Sequence, residues 1–130
     1  APEGAELRQR LAGIIEIIAA ADQAPALVVA AVVHAEIATV RPFTVGNGLV
    51  ARAVERLLVQ STGLDPTGVA VPEAGHGAEG GPAYLGSLTG YAQGGTDGVR
   101  LWLRHCGDAV VAAAQEGERV ADSVRAGRFV

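Results

Sequence analysis

The sequence predicts an all-α domain, and three observations carry that expectation. Apolar residues recur at three- and four-residue spacing in several segments, the mark of amphipathic helices. One segment, from Leu27 to Val40, is apolar almost all round, as a helix at the centre of a bundle is. No stretch alternates convincingly as a strand, Gly68-Val69-Ala70-Val71 being the only candidate. Composition agrees. Hydrophobic residues make up 49% and charged residues 18% of the chain, which is globular rather than disordered. With aromatics at only 4%, Ala, Val, Leu and Ile must fill the core, and such a core suits closely packed helices.

Leu7, Leu11, Ile14, Ile15 and Ile18 define a first amphipathic helix, about residues 4 to 21, with Glu6, Arg8, Arg10 and Glu16 mostly on its other face. Asp22-Gln23-Ala24-Pro25 breaks it, and Pro25 suits the first turn of a second helix. That helix carries Leu27, Val28, Val29, Val32, Val33, Ile37 and Val40. Pro42 ends it, because the residue before a proline avoids the α region. After the Gly46-Asn47-Gly48 turn, a third helix (about 48 to 62) places Leu49, Ala53, Val54, Leu57 and Leu58 on one face. Gly63-Leu64-Asp65-Pro66 stops it. Residues 72 to 82, with four glycines and two prolines, read as a flexible loop holding His76. Pro82 opens a helix bearing Leu85, Leu88 and Tyr91, and Gly94-Gly95 breaks the chain again. A last helix, about 97 to 125, buries Val99, Trp102, Leu103, Cys106, Val110 and Val111.

At 130 residues the chain is expected to form one domain, residues 1 to 130, burying roughly two-thirds of its unfolded surface. A net charge of −4 argues against a sequence-independent nucleic-acid binder, which needs a basic face. Cys106 is the only cysteine, so no internal disulfide forms and a reducing compartment fits. The start, Ala1-Pro2-Glu3-Gly4, is not a basic region before an apolar run. The apolar run from Ala24 to Val33 is too short to span a bilayer. A cytoplasmic protein without a membrane role is the expectation.

The stretch richest in chemistry is Arg41-Pro42-Phe43-Thr44-Val45-Gly46-Asn47-Gly48-Leu49-Val50-Ala51-Arg52. It reads as a helix end, a tight Gly-Asn-Gly loop and a new helix, which presents backbone N–H groups to a phosphate. It resembles the core motif of the Fic family, His-Pro-Phe-x-(Asp/Glu)-Gly-Asn-Gly-Arg-x-x-Arg. The similarity reaches upstream through Pro25 to Val40 and downstream to Tyr84, Leu85, Leu88 and Gly98 to Leu103, covering about residues 5 to 118. The resemblance implies a Fic-like helical bundle whose two central helices are joined by the anion-binding loop. It also implies a fragment that lacks an upstream β-hairpin flap. Family members commonly transfer AMP from ATP to a hydroxyl of a target protein. The motif histidine is the base, the acidic residue holds Mg²⁺, the Gly-Asn-Gly amides cradle phosphates and the first arginine contacts the outer phosphates.

Pro42, Phe43, Gly46, Asn47, Gly48 and Arg52 match that pattern. Arg41 stands at the position of the base, and a guanidinium stays protonated and takes no proton from a hydroxyl. Val45 replaces the carboxylate and offers no oxygen to a hard cation, so Mg²⁺ is doubtful. Leu49 replaces the first arginine, which removes the clamp on the outer phosphates. Loss of a general base alone costs on the order of 10²- to 10⁴-fold, and charge neutralisation is what phosphoryl chemistry most depends on.

The residues that remain for a nucleotide or another phosphate are Arg41, Gly46, Asn47, Gly48 and Arg52. Arg41 also reads as a surface or salt-bridging arginine, and Arg52 as a structural one paired with Glu36 or Glu55. His34, on an apolar helix, reads as a buried, hydrogen-bonded histidine, and His76 as an exposed loop residue. His105 and Cys106 are adjacent on one helix and do not share a face, which argues against a metal site or a dyad. Trp102 and Tyr84 read as core anchors.

The functional expectation is therefore a degenerate Fic-like domain without ordinary AMP transfer, with no catalytic residue or metal ligand assigned. It keeps a nucleotide or phosphate site, with ATP the first ligand to consider. Two alternatives stay open. One is an active transferase that borrows a base such as His34 or His76. The other is an interaction scaffold that binds a protein target or a second copy of itself.

Overall fold

The computed structural model describes residues 1–128. The described residues form six α-helices and no strand: α1 (Gly4–Ala19), α2 (Ala26–Val40), α3 (Asn47–Ser61), α4 (Pro72–Gly77), α5 (Gly81–Gln93) and α6 (Thr96–Arg125). One 3₁₀ turn, Ala21–Gln23, joins α1 to α2. None of these helices is long and apolar enough to cross a membrane.

The near-uniform apolarity of α2 is explained by its place at the centre. Val29, Ala30, Val33 and Ile37 face one cluster, which Ile14 of α1 and Ala51, Leu58 and Val59 of α3 complete. Ala31 and Ala35 face a second cluster, with Trp102 and Cys106 of α6. His34 lies between the two faces and is fully buried. Burial pushes the Cys106 thiol well above its ordinary range, so it acts as a small apolar group.

Several inward-facing assignments differ from the sequence reading. Ile15, Ile18, Leu49, Leu57, Leu85 and Val111 are exposed. The largest correction is on α3, whose buried face carries Asn47, Ala51, Glu55, Leu58 and Val59. Two polar residues there have internal partners, and this rotates the helix away from the face that Leu49, Ala53 and Leu57 would have buried.

Residues 72 to 82 are a second correction. Pro72 opens α4, with proline in the first turn and Glu73 favouring the same end. Nor is Gly68–Val71 a strand. The Asp65 carboxylate accepts the amides of Val69 (3.1 Å) and Ala70 (2.9 Å), and the Val71 amide donates to the Ala113 carbonyl of α6 (3.1 Å). That loop delivers α4 against α6 at very close range. A Cβ on Gly75 would run into the carbonyl oxygen and carbon of Ala109 and the methyl of Ala113.

Alanine normally gains about 1 kcal/mol over glycine inside a helix. At Gly75 the steric term wins, because two backbones would have to part. Gly75→Ala is expected to destabilise the fold by about 1–3 kcal/mol, the range for overpacking. Urea unfolding checks it, and a stabilised variant would mean that α4 is not seated on α6.

Candidate functional site

The break between α2 and α3 builds the first part of the site. Arg41 caps α2 in the left-handed region (φ 53°) and its amide donates to Ile37 O (3.1 Å). Pro42, which follows it, forbids further helix. The Asn47 side chain then staples the loop: its Oδ1 accepts the Phe43 amide (2.9 Å) and its Nδ2 donates to the Phe43 carbonyl (2.8 Å). Gly46 sits at φ 78°, a conformation that a side chain would strain. The first helical bond of α3 runs from the Val50 amide to Gly46 O (3.0 Å), leaving the amides of Asn47, Gly48 and Leu49 without intrahelical partners.

One turn along, Arg52 bends back over this end. Its Nη1 lies 3.4 Å from where a Cβ on Gly48 would stand. Arg52 also lines a cleft of about 240 Å³ with Glu73, His76, Gly77, Gly81 and Tyr84. Burial pushes the Tyr84 phenol above its ordinary value, and the neighbouring Arg52 guanidinium pulls against that rise.

Arg41 is exposed and is not among the residues lining this cleft. Arg52 pairs with neither carboxylate expected of it. Glu36 is held by Arg10 (2.7 Å) and by the Tyr91 hydroxyl (2.8 Å), and Glu55 is held by two histidines. Around the loop, Phe43, Val45 and Leu49 expose large apolar side chains.

The second part of the site lies behind the cleft. All three histidines of the chain meet there, and His76 is buried rather than exposed, because α4 packs its ring into the core. Glu55 Oε2 accepts from His34 Nδ1 (2.7 Å) and from His76 Nε2 (2.8 Å). His34 Nε2 meets the Tyr84 hydroxyl (2.9 Å), and His76 Nδ1 meets His105 Nε2 (3.2 Å). The row thus runs Tyr84–His34–Glu55–His76–His105 with no buried member left without a partner. Trp102 covers it, its ring parallel to that of His76 (4° apart, centroids 6.0 Å) and edge-on to that of His34 (5.1 Å).

Electrostatics follow from this row. Burial alone would raise the Glu55 carboxyl, but hydrogen bonds and charge from His34 and His76 outweigh it and hold the group at about 2. Burial, with His76 beside it, lowers the His105 imidazole below its ordinary value. The cluster forms an unbroken row of hydrogen-bonding groups from the cleft at Tyr84 to His105.

Sequence spacing does not announce this cluster. His34 alone was readable as a buried, bonded histidine, and the one overlooked signal for His76 was Pro72 and Glu73, which mark a helix start. No family model, curated protein or solved structure matches the chain.

Proposed function

We propose that this chain is a degenerate Fic-like domain that binds a phosphate-bearing ligand, a nucleotide first among them, and does not perform ordinary AMP transfer. The observation that carries the reading is the Arg52 guanidinium set against Gly48. It puts a permanent cation beside three free amides at a helix N-terminus, where the dipole already favours an anion. Arg52 offers a planar fork that suits phosphate oxygens. The absence of transfer rests on Arg41, Val45 and Leu49, which supply no base, no metal carboxylate and no clamp for the outer phosphates.

Calorimetry with ATP, ADP and AMP, with and without Mg²⁺, tests this. The expected result is nucleotide binding that Mg²⁺ barely changes. Arg52→Ala should weaken it about tenfold or more, the worth of one charge-assisted contact. Gly48→Val should weaken it by blocking close backbone approach. No binding at millimolar nucleotide would overturn the reading. The exposed trio Phe43, Val45 and Leu49 would then favour an interaction scaffold, with a protein partner or a second copy against that lip. Transfer of label from α-labelled ATP to a protein would instead restore the enzyme alternative.

A further inference from the structure

We infer that His34, Glu55 and His76 form a binding site for one divalent transition-metal ion, Zn²⁺ being the first candidate. Two imidazole nitrogens and a carboxylate oxygen lie within 4.8 Å of one another, on α2, α3 and α4. This is a donor set that zinc and its first-row neighbours take. All three side chains are more than nine-tenths buried.

The outer partners are the second, independent observation. A metal-bound histidine is held through its other ring nitrogen, and that partner fixes tautomer and orientation. Both rings meet this requirement, His34 through the Tyr84 hydroxyl and His76 through His105 Nε2. With an ion at the centre, His34 Nε2–H would donate to the Tyr84 oxygen and His76 Nδ1–H to His105 Nε2. The row is therefore satisfied with the ion as well as with protons.

The nitrogens stand 2.7 and 2.8 Å from Glu55 Oε2. Ligands at ~2.1 Å around a tetrahedral ion are ~3.4 Å apart, so each imidazole must draw back by roughly half an ångström. Three protein donors leave a coordination position open. Glu55 and His76 also line an apolar cavity of about 200 Å³, with Val59, Leu64 and Ala109 among its walls, which has room for a water or a small ligand. A three-ligand site beside such a space is the arrangement of a metal that meets a substrate rather than one that only staples a fold. The site shares no ligand with the phosphate seat at Gly48 and does not depend on it.

The test is metal binding to the full chain after stripping with a chelator. Zn²⁺ is titrated in competition with a chromophoric chelator, and Co²⁺ is read by its visible absorption. About one equivalent per chain is expected, with Co²⁺ bands of low coordination number and a rise in melting temperature. His34→Gln, Glu55→Gln and His76→Gln should each abolish stoichiometric binding. Tyr84→Phe keeps every ligand and removes only the outer partner of His34, and should weaken Zn²⁺ about tenfold. It also serves where a ligand variant fails to fold. Substoichiometric binding by the unaltered chain, or affinity unchanged in folded Glu55→Gln or in Tyr84→Phe, would overturn the site.

Discussion

Glu55→Ala is expected to cost about 3–5 kcal/mol of folding stability in the metal-free protein, the range for removing one partner of a buried charged pair. Glu55 Oε2 is the one atom that both His34 and His76 address. Without it, two buried N–H donors lose their acceptor beside an apolar cavity that offers no replacement. Against a typical total of about 5–15 kcal/mol, such a loss brings the chain close to unfolding at room temperature. Glu55→Gln keeps the shape and one acceptor oxygen and should cost clearly less. Urea midpoints rank the two variants, and equal costs would mean that the charge, not the acceptor, holds the histidines.

The same carboxylate gives a pH signature. Its ordinary value is 4.5 and the folded value is about 2, so the folded pKa lies below the unfolded one. The stability it contributes is fully present above about pH 4.5 and is lost as pH falls from there towards 2. The urea midpoint of the metal-free protein should fall across that window, and Glu55→Gln should remove that part of the slope. Identical acid slopes in both proteins would show that the histidines do not hold the Glu55 charge.

Much of the scaffold was legible because it rests on local signals. Periodicity located α2 and α6 to within a residue or two, since an all-apolar run and a long amphipathic run are unambiguous. Pro42 and the Gly46-Asn47-Gly48 turn marked the break between α2 and α3 because proline and positive-φ glycine act through their own backbone. The inner face of α3 was not legible. Hydrophobicity sends Asn47 and Glu55 outward and Leu49 and Leu57 inward, and the structure does the reverse. What decides is the partner, and Glu55 finds His34 and His76 each 21 residues away along the chain. His76 was obscured for a related reason. Its glycines read as a loop, yet Gly75 is there because α4 approaches α6 too closely for a side chain. A polar cluster assembled from five helices leaves no spacing in the sequence, only three histidines whose burial has to be seen.

Trp102→Ala should match the Glu55 variant, at about 3–5 kcal/mol, by a different route. Trp102 is fully buried, and its indole N–H donates to the Ala31 carbonyl of α2 (2.7 Å). It ties α6 to α2 at one end while its ring contacts the histidines at the other, His105 lying 5.5 Å away, centroid to centroid. Truncation opens a void against His34 and His76 that its neighbours can close only in part. Trp102→Phe keeps most of the ring and gives up the indole hydrogen bond, so it should cost closer to about 1–2 kcal/mol. The two variants separate packing from bonding, and Zn²⁺ adds a second reading. Phenylalanine still confines the imidazoles and should preserve metal affinity within a few-fold, whereas alanine frees them and should weaken it by about tenfold or more, because ligand orientation is lost. Equal affinities in folded Trp102→Ala and Trp102→Phe would show that Tyr84, Glu55 and His105 position the histidines without the indole, and that Trp102 serves the core alone.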